Sequence, residues 1–264
     1  MSERAAGTVE KSISGEQSVK KSRAVASKIA KRTKHAHREA SSLETRGVTP
    51  TQQARSKATF QALIQAGMQI IESKEFQAIK IAEITRSADV SVGAFYDRFQ
   101  NKEVFLAALQ EIAAENLEAN VRHAAQREDF ASLADVDAVA ALVKAWLQPI
   151  REHSGLIKAT LGHVSAQPGA WSPLRRAGRR TADVFVKVLG PRLSARGRRA
   201  PEREIRIAMQ FVFGIVVNSI MNNPGPLTVK MDAMGDNIVK HLSRFLELEA
   251  GGNGKRPGQG GRRG

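Results

Sequence analysis

Residues 81–106 read IAEITRSADVSVGAFYDRFQNKEVFL. Two short segments, 81–87 and 91–98, carry apolar residues at helical spacing and are joined by a tight turn. A Tyr-x-x-Phe-x-x-Lys run, Tyr96 to Lys102, then leads into a long helix. Helix, turn, helix and exit helix in that order form the layout of a double-stranded DNA reader, and this layout sets the expectation for the rest of the chain.

Working outward, helical period dominates and no alternating strand pattern is found. Upstream, Thr49-Pro50-Thr51-Gln52 offers an N-cap, a Pro at N1 and a Gln at N3. Phe60, Leu63, Ile64, Gly67, Met68 and Ile71 follow at 3/4 spacing, so a first helix is expected to end near Ser73. Downstream, Asn101 is placed to cap a long helix with the stripe Phe105, Leu106, Leu109, Ile112, Ala113, Leu117 and Val121. Asp135 opens another helix with Pro149 close to its end, and 154–166 reads as a shorter one. Ser172-Pro173 is read as a cap with Pro at N1. Pro201 starts the most apolar segment, and Pro224-Gly225-Pro226 separates it from a last helix through Leu246. The expectation is an all-α chain of nine helices.

Composition narrows the class. The chain has 264 residues, 42% of them apolar, which is enough for one large or two modest cores. It has no Cys, which removes disulfides, thiolate zinc sites and cysteine nucleophiles together. No metal site, cofactor or catalytic residue is expected: there is no His-Glu-x-x-His, no Gly-x-Ser-x-Gly and no phosphate-cradling glycine loop, and His35-x-His37 lacks further ligands. No apolar run is expected to reach the roughly 20 residues needed to span a bilayer. A cytoplasmic, nucleoid-associated location without membrane contact follows as the expectation.

The formal charge of +15 is concentrated at the ends. Residues 1–48 carry a net +6 and residues 250–264 a net +4, leaving only +5 over 49–249. Basic tails attract polyanions through counterion release without reading sequence. Both are read as disordered: the first lacks apolar periodicity, and the second, GGNGKRPGQGGRRG, is Gly/Arg low complexity with no aromatic residue to stack on bases.

The stretch from about 51 to 106 resembles the DNA-binding domain of TetR/AcrR-type transcriptional regulators. Val90-Ser91-Val92-Gly93-Ala94-Phe95-Tyr96-Asp97-Arg98-Phe99-Gln100-Asn101-Lys102-Glu103 follows that family's pattern of Val-Ser-x-Gly-x-Leu/Phe-Tyr-x-x-Phe-x-x-Lys-Glu. Three positions depart from it. Glu75 precedes Phe76 where Gly is usual, Asp89 occupies a turn position usually Gly, and Ile79-Lys80-Ile81 replaces a Thr/Ser start of the second helix. The resemblance implies a helix-turn-helix domain at 49–106 and a helical effector-binding and dimerisation domain at 107–249.

Read residue by residue, Ser91 is placed to cap the recognition helix. Val92, Gly93 and Ala94 permit close approach to the major groove and apolar contact with a thymine methyl. Phe95 and Phe99, four apart, are expected to seal the small core rather than touch DNA. By resemblance, Tyr96 and Lys102 are backbone clamps and Arg98 is the candidate for guanine readout, with a phosphate contact as its alternative. Lys80 and Arg55 are further candidates for phosphate.

The resemblance also implies a homodimer on a palindromic operator, and the helices at 205–222 and 229–248 are its candidate interface. It implies as well a small-molecule pocket, with Trp146, His163, Trp171 and Phe213 as candidate walls and Arg151 as an anion anchor. The expected function is a ligand-released repressor. The competing reading is a nonspecific architectural protein that coats nucleic acid through its basic tails.

Overall fold

The computed structural model describes residues 52–163 and 171–248. The N-terminal extension, the expected cap at 49–51, residues 164–166 and the Gly/Arg tail lie outside the described residues. Among the described residues there are nine α-helices and no strand: α1 Gln52–Ser73, α2 Ile81–Ser87, α3 Val92–Tyr96, α4 Lys102–Ala125, α5 Asp135–Glu152, α6 Ser154–His163, α7 Ser172–Ala195, α8 Pro201–Asn222 and α9 Asp232–Phe245. Short 3-10 turns stand at Phe76–Ala78 and Phe130–Ser132. The fold is all-α, as the periodicity requires.

Local chemistry explains where these helices begin and end. Asn101 Oδ1 accepts from the Val104 amide at 2.8 Å and caps α4. The end of α2 closes in a Schellman motif, with the Val90 amide bonded to the Thr85 carbonyl and the Asp89 amide to that of Arg86. The motif needs a left-handed residue, and Asp89 supplies it at φ 52°. At α7 the expectation shifts by one residue. Ser172 is the first helical residue rather than the cap, and the Trp171 carbonyl accepts from the Arg175 amide. α5 continues through Pro149 to Glu152, because the Pro149 carbonyl still accepts from the His153 amide.

One sequence expectation is overturned. Pro201–Asn222 is, by length and composition, apolar enough to cross a membrane, with a window of mean hydropathy 1.4. Glu202, Arg203, Glu204 and Arg206 cluster in its first two turns, and a long apolar remainder follows. One face of α8 is buried, through Ile205, Ala208, Met209, Val212, Val216 and Ser219.

The chain divides into two compact units. One takes in the described residues up to Ala119 together with Pro149–Arg180. The other takes in Asn120–Gln148 and the described residues from Thr181 on. The expected domain boundary at 106/107 thus falls inside the first unit.

In the first unit the core gathers Leu63, Ile71, Phe76, Ile84, Phe95, Phe99, Phe105, Leu109 and Leu156. Phe95, Phe99 and Phe105 meet edge-on or tilted with ring centroids 4.9–5.4 Å apart, a geometry favoured by aromatic quadrupoles. Gly67 lets α4 approach α1: a Cβ there would lie 2.5 Å from Phe105 Cζ. The α6 helix is tied in at two points. The Glu72 carboxylate caps its N-terminus, and the buried Gln110 side chain of α4 donates to Thr160 Oγ1 at 3.0 Å. On α4, Glu111 pairs with Arg176 and Glu118 with Arg180 of α7.

In the second unit, Phe185, Leu189, Leu142, Val212, Ile238 and Leu242 are buried. Arg192 bonds Asp135 at 2.9 Å and the Leu133 carbonyl at 2.8 Å, which holds the start of α5 to α7. Arg198 pairs with Glu204 and Glu247 and so links the starts of α8 and the end of α9.

Candidate nucleic-acid interface

The reader is assembled on α1–α3 and the start of α4. Ile84 and Phe95 are buried, which fixes the inner faces of α2 and α3. Phe95 and Phe99 are fully enclosed, so both serve the core as the sequence suggests. The remaining face of α3 is turned outward. Val92 is 46% and Tyr96 55% exposed. Gly93 between them is also exposed, while Ala94 is half-buried. The Ser91 hydroxyl accepts from the Ala94 amide at 3.1 Å, forming the expected N-cap.

The two cations of the motif are engaged within the fold. Lys102 Nζ donates to the carbonyls of Phe76 at 3.0 Å, Gln77 at 3.1 Å and Ile79 at 3.1 Å. It also lies 4.7 Å from the Phe76 ring centroid. An ammonium has three N–H groups, and here all three are engaged within the fold. It thereby caps the 3-10 turn between α1 and α2. Arg98 likewise turns back. Nη1 donates to the Ala94 carbonyl at 2.8 Å, and Nη2 reaches the carbonyl and hydroxyl oxygens of Ser56 at 3.3 Å. Its planar fork therefore joins α3 to the first turns of α1. Sequence spacing placed both residues at the right positions, but it carried no information on which carbonyls lay within reach.

Other cations remain outside. Arg55, beside Ser56, and Lys80, at the start of α2, have exposed side chains. Arg86 in the last turn of α2 is exposed too, although it was not among the sequence candidates. The inward Ile81, Ile84 and Thr85 of α2 were the signal that would have placed it outside. The α2 N-terminus is held by Glu83, which accepts from Lys74 Nζ at 2.8 and 2.9 Å and from the Lys80 amide at 3.2 Å. These contacts hold the Glu83 carboxyl below its ordinary value, the Lys74 hydrogen bond contributing most.

The pocket candidates are placed as follows. Trp146 is buried, and its ring centroid lies 5.3 Å from that of Phe213, which is half-buried, in the second unit. Arg151 and Trp171 belong to the first unit, each half-buried. His163 ends α6, and its side chain lies outside the described residues. Among the described residues no group of His, Cys, Asp or Glu is arranged to hold a metal.

Comparison with known proteins bears on this geometry. Residues 63–109 match the family model described as bacterial regulatory proteins, tetR family. The TetC protein of transposon Tn10 from Escherichia coli is 40% identical over 57 residues, a match that covers 22% of this chain and 29% of that protein. The chain thus spans less than a third of the length of that curated relative. A TetR-family transcriptional regulator from Mesorhizobium loti superposes with a TM-score of 0.54 at 18% identity, over 73% of this chain and 95% of that one. FadR from Bacillus subtilis, solved in complex with stearoyl-CoA, superposes with a TM-score of 0.52 at 14% identity, over 69% of this chain and 97% of that one. At these identities the structural likeness establishes the fold. The match within 63–109 shows a TetR-type DNA-binding segment there, and beyond it the chain shares an all-helical fold with the solved structures.

Proposed function

We propose that the chain is a sequence-specific DNA-binding transcriptional regulator that acts as a homodimer on a palindromic operator and is released by a small molecule. The carrying observation is the outward face of α3, where Val92, Gly93 and Tyr96 stand exposed while Phe95 and Phe99 lock the helix onto the core. Arg55, Lys80 and Arg86 supply exposed positive charge on the neighbouring helices for the phosphates.

A single reader with so small a face gains affinity by duplication, and α8 offers a surface for it. Ile207, Phe211 and Ile215 recur every fourth residue as an exposed stripe, and Phe245 of α9 lies 6.4 Å from Phe211, ring to ring. Such a stripe on packed helices is suited to an intermolecular four-helix bundle. Release by an effector is supported by the stearoyl-CoA held by the Bacillus subtilis FadR, with the Trp146–Phe213 ring pair as the candidate wall here.

Selection of bound sequences from a random duplex pool tests the reading. The expected result is an inverted repeat whose half-sites lie one helical turn apart, about 34–36 Å. Recovery of unenriched DNA would contradict it and favour the coating protein.

A further inference from the structure

Resting on the DNA-binding reading above, we infer that the α3 face selects thymine methyl groups and does not read guanine by hydrogen bonds. Reading guanine in the major groove needs an outward donor, such as an Arg or Lys bidentate to O6 and N7. The described residues 91–98 hold four polar side chains, and each is accounted for. Arg98 is engaged by Ala94 and Ser56. The Ser91 hydroxyl caps the helix. Asp97 is an exposed acceptor whose negative charge the phosphates of a groove repel. Tyr96 is left, with an exposed ring and a single hydroxyl.

Gly93 sharpens the inference. A Cβ built there would meet nothing nearer than Ser91 Oγ, at 3.7 Å, so the fold has room for a side chain. Glycine inside a helix is less favourable than alanine, and no internal packing offsets that cost here. The missing side chain has its effect outside. It leaves a dent between Val92 and Tyr96, two exposed and largely apolar neighbours. The apolar group that a base edge offers the major groove is the C5 methyl of thymine. A shallow apolar dent bordered by a valine and an aromatic ring fits that group, and the single Tyr96 hydroxyl cannot supply the bidentate donor pair that guanine O6 and N7 take.

The test uses the full chain and the duplex chosen by random-pool selection. Each thymine is replaced in turn by uracil, which removes only the methyl, and each guanine by 7-deazaguanine, which removes the N7 acceptor. Uracil at one or two positions of each half-site is expected to weaken binding about fourfold per methyl, on the scale of one buried methyl group. The deaza substitutions are expected to stay within about twofold, since they remove a group that the protein does not bond. Gly93→Ala is expected to retain or raise the melting temperature and to lose at least about tenfold in affinity by filling the dent. Val92→Ala is expected to shrink the uracil penalty. Strong deaza effects with silent uracil positions, or a Gly93→Ala variant that binds like the wild type, overturn the inference while leaving the DNA-binding reading in place. If no duplex is preferred over random DNA, the underlying reading fails and the inference falls with it.

Discussion

The Glu72 carboxylate accepts from the Gly155 amide through both oxygens, at 3.0 and 2.9 Å, so the end of α1 caps the start of α6. Leu156 and Ser154 donate to the same carboxylate. A negative charge at a helix N-terminus meets otherwise unpaired amides and the positive end of the helix dipole. Gly155 makes the approach feasible, because a Cβ there would collide with the Ile71 carbonyl oxygen and lie 2.7 Å from Glu72 Cα. Glu72→Ala should destabilise the chain by about 1–2 kcal/mol, the scale of a lost N-cap. Gly155→Ala should cost about 1–3 kcal/mol by overpacking against backbone. Denaturant midpoints at unchanged slope are the measurement.

Arg98 and Lys102 are expected to matter for stability ahead of specificity. Lys102→Met leaves the carbonyls of Phe76, Gln77 and Ile79 without their donor and should cost about 2–3 kcal/mol. Arg98→Ala should cost about 1–2 kcal/mol, because the Ala94 carbonyl loses its charged partner. Selection from random DNA with Arg98→Ala should return the wild-type consensus. A relaxed guanine position would restore Arg98 as a base reader.

The contrast between these residues and the rest of the reader shows what the sequence could reveal. The i, i+4 spacing of Phe95 and Phe99 marked their burial, Ser91 was legible as a cap by residue type, and the Asp89 turn was legible from the family pattern, since each depends on neighbours within a few residues. The order of helices was legible for the same reason. The contacts that redirect Arg98 and Lys102 join positions 42 and up to 26 residues apart. The cap of α6 by Glu72 spans 83 residues. Spacing along the chain carries no signal for such pairings, which arise only when α1, α2 and α3 close around the phenylalanine cluster. The apolar length of α8 is visible in composition, because its charges are confined to the first two turns.

Stability should fall with acid through Glu83. Its folded value lies below the ordinary 4.5 because Lys74 and the Lys80 amide bond the ionised form. The stabilisation is therefore fully present above about pH 4.5 and is lost as pH drops through the depressed folded value. Glu83→Gln should flatten the decline in melting temperature below that pH and leave the profile at neutral pH parallel to wild type. A variant whose acid limb is as steep as that of the parent chain would assign the acid sensitivity to other carboxylates.

Phe211 should govern assembly. It is 57% exposed, so Phe211→Glu removes little from the fold of one chain. At the centre of a self-association face the same change should raise the dimer dissociation constant by about 30-fold or more, the scale of an aromatic hot spot. Sedimentation equilibrium distinguishes the outcomes. A wild-type chain that is monomeric at all concentrations would remove the dimer from the account and leave the α8 stripe to another apolar partner, a lipid surface included.

The central claim is that α3 chooses among DNA sequences. It is tested most directly by the ratio of dissociation constants for the selected palindrome and a scrambled duplex of equal length, measured by fluorescence anisotropy at fixed physiological salt. The account predicts a ratio of about 10³ or more in favour of the palindrome. A ratio near one, with affinity for both duplexes falling steeply with salt, would contradict it and identify a protein that coats nucleic acid through charge alone.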